Sequence, residues 1–227
     1  MKKNRTDKRS RSTKRRLALA QEDCLSFHRL EDRNMLASVT VSNATDLTNA
    51  DTSSINVLIA NDGGDGISLR EAITASNNTT GDDTITFDSS VFTGGANSLI
   101  RLTQGELEIT ETLTIDASMA TDVTITGDAN GDDVTLPGTF ITDVDASIGS
   151  DVFDRNGLLN DNSRIINFSV TTGDLTLSDV TITGGRTTGS NGTTDSGGGI
   201  SLLSQGFFET NLRLTNSAVS GKLDRGR

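Results

Sequence analysis

Few groupings of residue types in this 227-residue chain could do chemistry. Asp143 and Asp145 stand two apart in FITDVDA. On an extended strand they share a face with their carboxylates roughly 7 Å apart, which suits the acid and base of an inverting glycosidase. A polysaccharide lyase would instead set an Arg or Lys base beside calcium-holding carboxylates, and Arg164 and Arg186 are the available cations. Ile141 shares the aspartate face, however, while Phe140, Thr142 and Val144 form the apolar side, as on an ordinary solvated strand. The two arginines belong to no cluster, so no residue is assigned a catalytic role. For metals, Asp128, Asn130 and Asp132 place oxygen ligands at positions one, three and five of a calcium loop, but Asp133 stands where the bend needs Gly and Thr139 where the bidentate Glu belongs. NDGGDG at 61–66 lacks the Asp that would complete a GGxGxD calcium turn. The expectation is Asx and Gly turn chemistry with no cofactor, calcium being the alternative. Cys24 is the one cysteine and His28 the one histidine. These counts exclude an internal disulfide framework and a multi-cysteine zinc site, and they disfavour a Ser/His/Asp triad in the body of the chain.

The elements that would position such residues follow from patterning. Hydrophobic residues make up 33%, with 23 Gly, one Pro and neither Trp nor Tyr. From residue 38 onward the apolar residues fall in short clusters: 39–41, 55–59, 85–87, 99–102, 107–109, 113–115 and 123–125, then 140–144, 165–170, 175–177, 180–182, 200–203 and 212–214. Each alternates with period two between Gly, Asn, Asp or Ser, which predicts short strands. One segment differs. Ser68, Leu69, Arg70, Glu71 and Ala72 open a capping box, with Ser68 at the N-cap and Glu71 three residues on, so a two-turn helix ending near Asn77 is expected, with Leu69, Ala72, Ile73 and Ser76 on one side. Capping accounts for Glu71 without a catalytic role.

Internal repetition selects the architecture. DVTITG occurs at 122–127 and again at 179–184, and LTLSDVTITG at 175–184 maps onto LRLTNSAVSG at 212–221 with a constant offset of 37. Such recurrence is expected where each unit buries its inward side chains against equivalent positions of the units above and below. The fold expected is therefore all-β, a right-handed parallel β-helix (solenoid) with a short N-terminal capping α-helix and a disordered basic tail. Its body of about six coils of roughly 20 to 25 residues would have Thr on outward faces and Gly or Asn at corners.

Charge divides the chain. Residues 1–36 carry eleven Lys/Arg and five Asp/Glu, whereas residues 37–227 carry nine and twenty-six. The arm MKKNRTDKRSRSTKRR has no apolar residue beyond Met1 and is expected to be disordered. Its attachment to a strongly acidic body argues against nucleic-acid binding and leaves a targeting leader or a plain solvated tail. Leu17, Ala18, Leu19 and Ala20 are the only apolar run available to such a leader, and no segment approaches the ~20 apolar residues of a membrane span. The divisions are residues 1–36 as leader, 37–84 as first strands and capping helix, and 85–227 as coils, expected to continue beyond the C-terminus.

Two stretches carry a family resemblance. LEDRNMLA at 30–37 resembles the LEDR/LEPR-type sequence near the N-termini of large bacterial surface proteins. DGGDGISLREAITASN at 62–77, GDDTITF at 81–87, LIRLTQGELEITETLTIDA at 99–117 and GGGI at 197–200, with Gly197, Gly198 and Gly199, together resemble the CSLREA-type domain of bacterial surface proteins similar to polymorphic outer membrane proteins. The family's Cys is Ile67 here. The resemblance implies a right-handed parallel β-helix of the pectin-lyase-like kind and an extracellular, cell-surface or outer-membrane location, and it supplies no catalytic residues. The function expected is a structural or adhesin-like surface protein, with a polysaccharide lyase or glycoside hydrolase as the alternative. Its expected partners are an unidentified cell-surface or extracellular matrix component and, through Leu212, Leu214 and Val219 of an open last coil, other copies of itself.

Overall fold

A computed structural model describes residues 36–129, 133–134, 142–143, 164–170, 172–185, 198–204 and 209–220 of the chain. The strands, in chain order, are β1 (Ser38–Val41), β2 (Asp83–Phe87), β3 (Leu99–Arg101), β4 (Leu107–Ile109), β5 (Leu113–Asp116), β6 (Val123–Thr126), β7 (Asp133–Val134) and β8 (Thr142–Asp143). They continue with β9 (Ile166–Val170), β10 (Gly173–Ser178), β11 (Val180–Thr183), β12 (Ile200–Ser204), β13 (Thr210–Thr215) and β14 (Ala218–Val219). Two helices, α1 (Ile55–Ala60) and α2 (Leu69–Asn77), lie between β1 and β2.

Among the described residues the protein is mostly β, and its strands lie in parallel sheets. The first sheet has the order β1-β2-β5-β10-β13, the second β3-β6-β11-β14 and the third β4-β9-β12. From β2 onward, with β7 and β8 set aside, the chain visits first, second and third sheet in constant rotation. The sequence repeats fall into register. Leu175 and Leu177 pair with Leu212 and Leu214, Ile182 with Val219, and Val123 and Ile125 with Val180 and Ile182. Successive layers of the first sheet are unequal: Ile85 pairs with Ile115, which pairs with Leu177, which pairs with Leu214. These steps of 30, 62 and 37 residues replace the expected even coils, because connections of different length leave the strand register intact.

The core follows from alternation. Inward columns such as Val39, Ile85, Ile115 and Leu177, or Ile100, Ile125 and Ile182, are almost fully buried, and Thr84, Thr114, Thr176, Thr124 and Thr181 take the outward positions between them. Thr suits those positions because its β-branch fits the pleated surface while its hydroxyl stays outside. Phe87 and Phe92 meet edge to face with ring centres 5.1 Å apart. The corners entering β6, β11 and β14 are made by Asp122, Asp179 and Asn216, each with φ between 49° and 59°, where Asp and Asn are the side chains that best tolerate left-handed backbone. Asn216 Nδ2 donates to Asp179 Oδ1, linking two of these corners.

Two expectations are corrected. The cluster 55–59 is helical, not extended. The Ser54 hydroxyl accepts the Val57 amide, and burial falls on Ile55 and Leu58, three apart, leaving Ile59 54% exposed where a strand would have buried it beside Ile55. The segment around Asp143 does not join the parallel sheets either, since β8 pairs antiparallel with β7, and Asp133, expected in a turn, lies in β7.

Candidate functional site

The densest polar cluster among the described residues gathers around Ser68–Ala72. Ser68 caps α2 by accepting the Glu71 amide at 3.2 Å, and Glu71 Oε2 accepts the Ser68 amide at 2.9 Å, closing the capping box. Glu71 does more than cap: its Oε1 accepts the amides of Asn49 at 2.8 Å and Ala50 at 2.9 Å. The Ser68 hydroxyl donates to the Leu47 carbonyl at 2.6 Å. One turn of helix thereby satisfies the backbone of a loop some twenty residues upstream, whose groups would otherwise be costly to bury.

Arg70 extends the clip in a second direction. Its Nε and Nη2 donate to both oxygens of Asp46, at 2.7 and 3.0 Å, and the same guanidinium donates to the carbonyls of Gly105 at 2.6 Å and Glu106 at 2.8 Å. Asp46 is buried, and its Oδ2 also accepts the amides of Thr103 at 2.7 Å and Gln104 at 2.9 Å. A planar fork against a carboxylate, with two backbone amides as further donors to one of its oxygens, is the geometry in which a buried ion pair overcomes its desolvation. Leu69 and Ala72 complete the motif from the apolar side, each buried, and α2 packs against β1, β2 and β4. Asn77 adds a polar tie, donating to the Glu108 carbonyl and accepting the Thr110 amide. Ser68, Arg70 and Glu71 thus tie the 46–50 loop and the 103–106 turn to one helix, while Leu69 and Ala72 pack it against the core.

The other site candidates are dispersed. Arg101 donates to the Asp128 carboxylate at 3.3 Å and to its carbonyl at 3.1 Å. Asn130 and Asp132 lie outside the described residues. Within NDGGDG, Asp62 Oδ1 accepts the Gly64 amide, and Asp65 takes the side-chain amides of Asn43 and Asn49 on its two oxygens, in keeping with turn chemistry. Gly63 and Gly66 have φ of 77° and 86°, and a Cβ would meet Asn49 or Ser42 within 2.8 Å. Ile67 is buried and its carbonyl accepts the amides of Ser42 and Asn43. Arg164 pairs with Glu106 at 3.1 Å; Asp145 and Arg186 lie outside the described residues. Of the glycine run, Gly197 also lies outside them, whereas Gly198 and Gly199 accept the amides of Ile165 and Ile166 through their carbonyls. A Cβ on Gly199 would stand 2.6 Å from Val219 Cγ1.

Sequence reasoning missed Asp46 and Asp83. Asp46 has no spacing signal, because its partner is 24 residues away and the pairing depends on where the loop returns. Asp83 is visible only as an acid opening a strand, yet it is buried, and burial raises its carboxyl above the usual range, with Asp82 and Glu111 adding to the rise and the Ala37 amide opposing it. Comparison of the chain with protein-family models, with curated proteins and with solved structures returned no match.

Proposed function

We propose that the chain is an exported, non-catalytic structural or adhesin-like protein of the cell surface or outer membrane, its body a right-handed parallel β-helix. The observation that carries this reading is the register. Repeats identified in sequence alone pair residue for residue across parallel strands, and from β2 onward, apart from the β7–β8 pair, the chain passes through three sheets in rotation. A β-helix built on that register would be a rod with Thr on its outer faces, a geometry suited to spacing and display. The likeness of Ser68–Ala72 and its surroundings to the CSLREA-type domain, and of LEDRNMLA to surface-protein leaders, supports the location. Arg70, Glu71 and Arg164 each hold a structural partner, and the non-catalytic reading gives them that role alone.

The test is accessibility on intact cells. Antibody labelling and protease shaving of cells expressing the full chain should detect the body at the surface, and recovery only from the cytosolic fraction would overturn the proposal. Incubation with pectins, alginates and related acidic polysaccharides, with and without calcium, should release no products. Calcium-dependent release of unsaturated sugars, lost in Asp143→Ala or Arg186→Ala, would establish a lyase instead.

A further inference from the structure

Asp83 occupies a position that the repeat reserves for an apolar side chain. In the first sheet it pairs in register with Leu113, which pairs with Leu175, which pairs with Leu212. The carboxylate thus begins a column of leucines, and Asp83 is 2% exposed. Its Oδ1 accepts one hydrogen bond, from the Ala37 amide at 3.2 Å, and its Oδ2 is buried with no partner. Among the described residues no Lys or Arg hydrogen-bonds or pairs with it, and the charges acting on it, Asp82 and Glu111, are of the same sign. A buried carboxylate with one amide donor is under-satisfied, and a column of leucines offers it nothing.

The neighbour that does touch it is singular. Ala37 is the first residue of the acidic body, immediately after the basic stretch 1–36, and its carbonyl is fixed by the Thr84 amide at 2.9 Å. Leu36 before it is 75% exposed. We propose that Asp83 is the receptor for a new N-terminus: hydrolysis of the Leu36–Ala37 peptide bond places the α-ammonium of Ala37 against the Asp83 carboxylate. Water adds across the C–N bond. Its hydroxyl goes to the Leu36 carbonyl carbon and its proton to the Ala37 nitrogen, and the new carboxylic acid passes its own proton through solvent to the amine, leaving a Leu36 carboxylate that departs with the basic stretch and an ammonium that stays. That ammonium has three donors where the amide had one, enough to reach Oδ2 as well as Oδ1, and its charge matches the one the site buries. Removal of the leader would then lock the first strand at the moment it is freed. This inference is independent of the surface-protein reading, since the receptor works wherever the processed chain resides.

The experiment uses the full chain, with residues 33–36 replaced by a site-specific protease sequence whose cut falls directly before Ala37, in parent and Asp83→Asn forms. The parent should gain thermal stability on cutting. Acylation of its new α-amine at neutral pH should be roughly tenfold slower than in Asp83→Asn, as an ion pair that holds the amine protonated requires. A matched chain cut one residue earlier, retaining Leu36, should show neither effect. Equal melting shifts and equal amine reactivity in all three would overturn the proposal, as would a mass for the chain recovered from its native cells that begins anywhere but Ala37. The Asn side chain keeps an acceptor for the Ala37 amide, so the uncut Asp83→Asn form reports whether the variant folds.

Discussion

Leu177 and Leu214 occupy the same register position of one sheet, on neighbouring strands that share a Leu-x-Leu pattern. Leu177 is fully buried, and Leu214 is 43% exposed. The inward pattern of a repeat is therefore not enough to bury it; burial comes from the next layer, and among the described residues β13 and β14 have a layer on one side only. At the other end of the same sheets, α1 and α2 close the core, with Ile55, Leu58, Leu69, Ala72 and Ile73 all buried, and the Asp46, Arg70 and Glu71 network fastens that cover. One end is sealed by specific chemistry, whereas at the other, among the described residues, Leu214 and Val219 stand nearly half exposed, and an edge of that kind is a template for pairing with a further strand.

The largest expected effect lies in the sealed end. Asp46→Ala or Arg70→Ala leaves its partner buried without compensation, which should cost about 3–5 kcal/mol in denaturant unfolding. A loss under about 0.5 kcal/mol would mean that the clip follows the fold instead of holding it. Next comes the direct contrast of the two leucines. Leu177→Ala should cost about 2–5 kcal/mol, as for a filled core site, and Leu214→Ala well under half of that. Equal losses would show that Leu214 is covered in solution.

A smaller effect separates Asp83 from the carboxylates of the clip by its sign. Because burial raises the Asp83 carboxyl above its unfolded value, its contribution to stability is present in acid and is lost as pH rises through the raised value. Asp83→Asn in the uncut chain should therefore increase stability at neutral pH and flatten the profile above the usual carboxylate range. A variant less stable than its parent at pH 7 would contradict this. Smallest in stability is the open edge. Leu214→Lys with Val219→Lys should change unfolding by no more than about 0.5 kcal/mol, while weakening the concentration-dependent self-association that we propose for the isolated chain. Light scattering that finds parent and variant monomeric alike at high micromolar concentration would remove the edge as a docking surface.

What the sequence made legible was local or repeated. The α2 capping box, its buried Leu69, Ala72 and Ile73, and the pairings 37 residues apart all follow from spacing, because helix caps and stacked repeats are set by residues at fixed intervals. The strand expected at 55–59 became α1 because three β-branched residues, Ile55, Val57 and Ile59, mimic alternation while the Ser54 cap and the burial of Leu58 decide for a helix. Of the candidate site, Ser68 and Glu71 were readable as a cap, but their bonds to Leu47, Asn49 and Ala50, and the grip of Arg70 on Asp46, depend on long-range return of the chain. Asp83 was illegible for a different reason: only the register shows that it stands where other layers carry leucine.

The register itself is the most direct test. In a Cys24→Ser background, Thr181→Cys with Ala218→Cys places two thiols opposite each other on adjacent parallel strands and on one face, within the span a disulfide needs. Thr181→Cys with Val219→Cys moves one thiol to the opposite face, because a single-residue step inverts side-chain direction. Mild oxidation should cross-link the first pair rapidly and leave the second largely reduced. Equal rates for both pairs, or faster linkage of the second, would contradict the stacking of repeats on which the account rests.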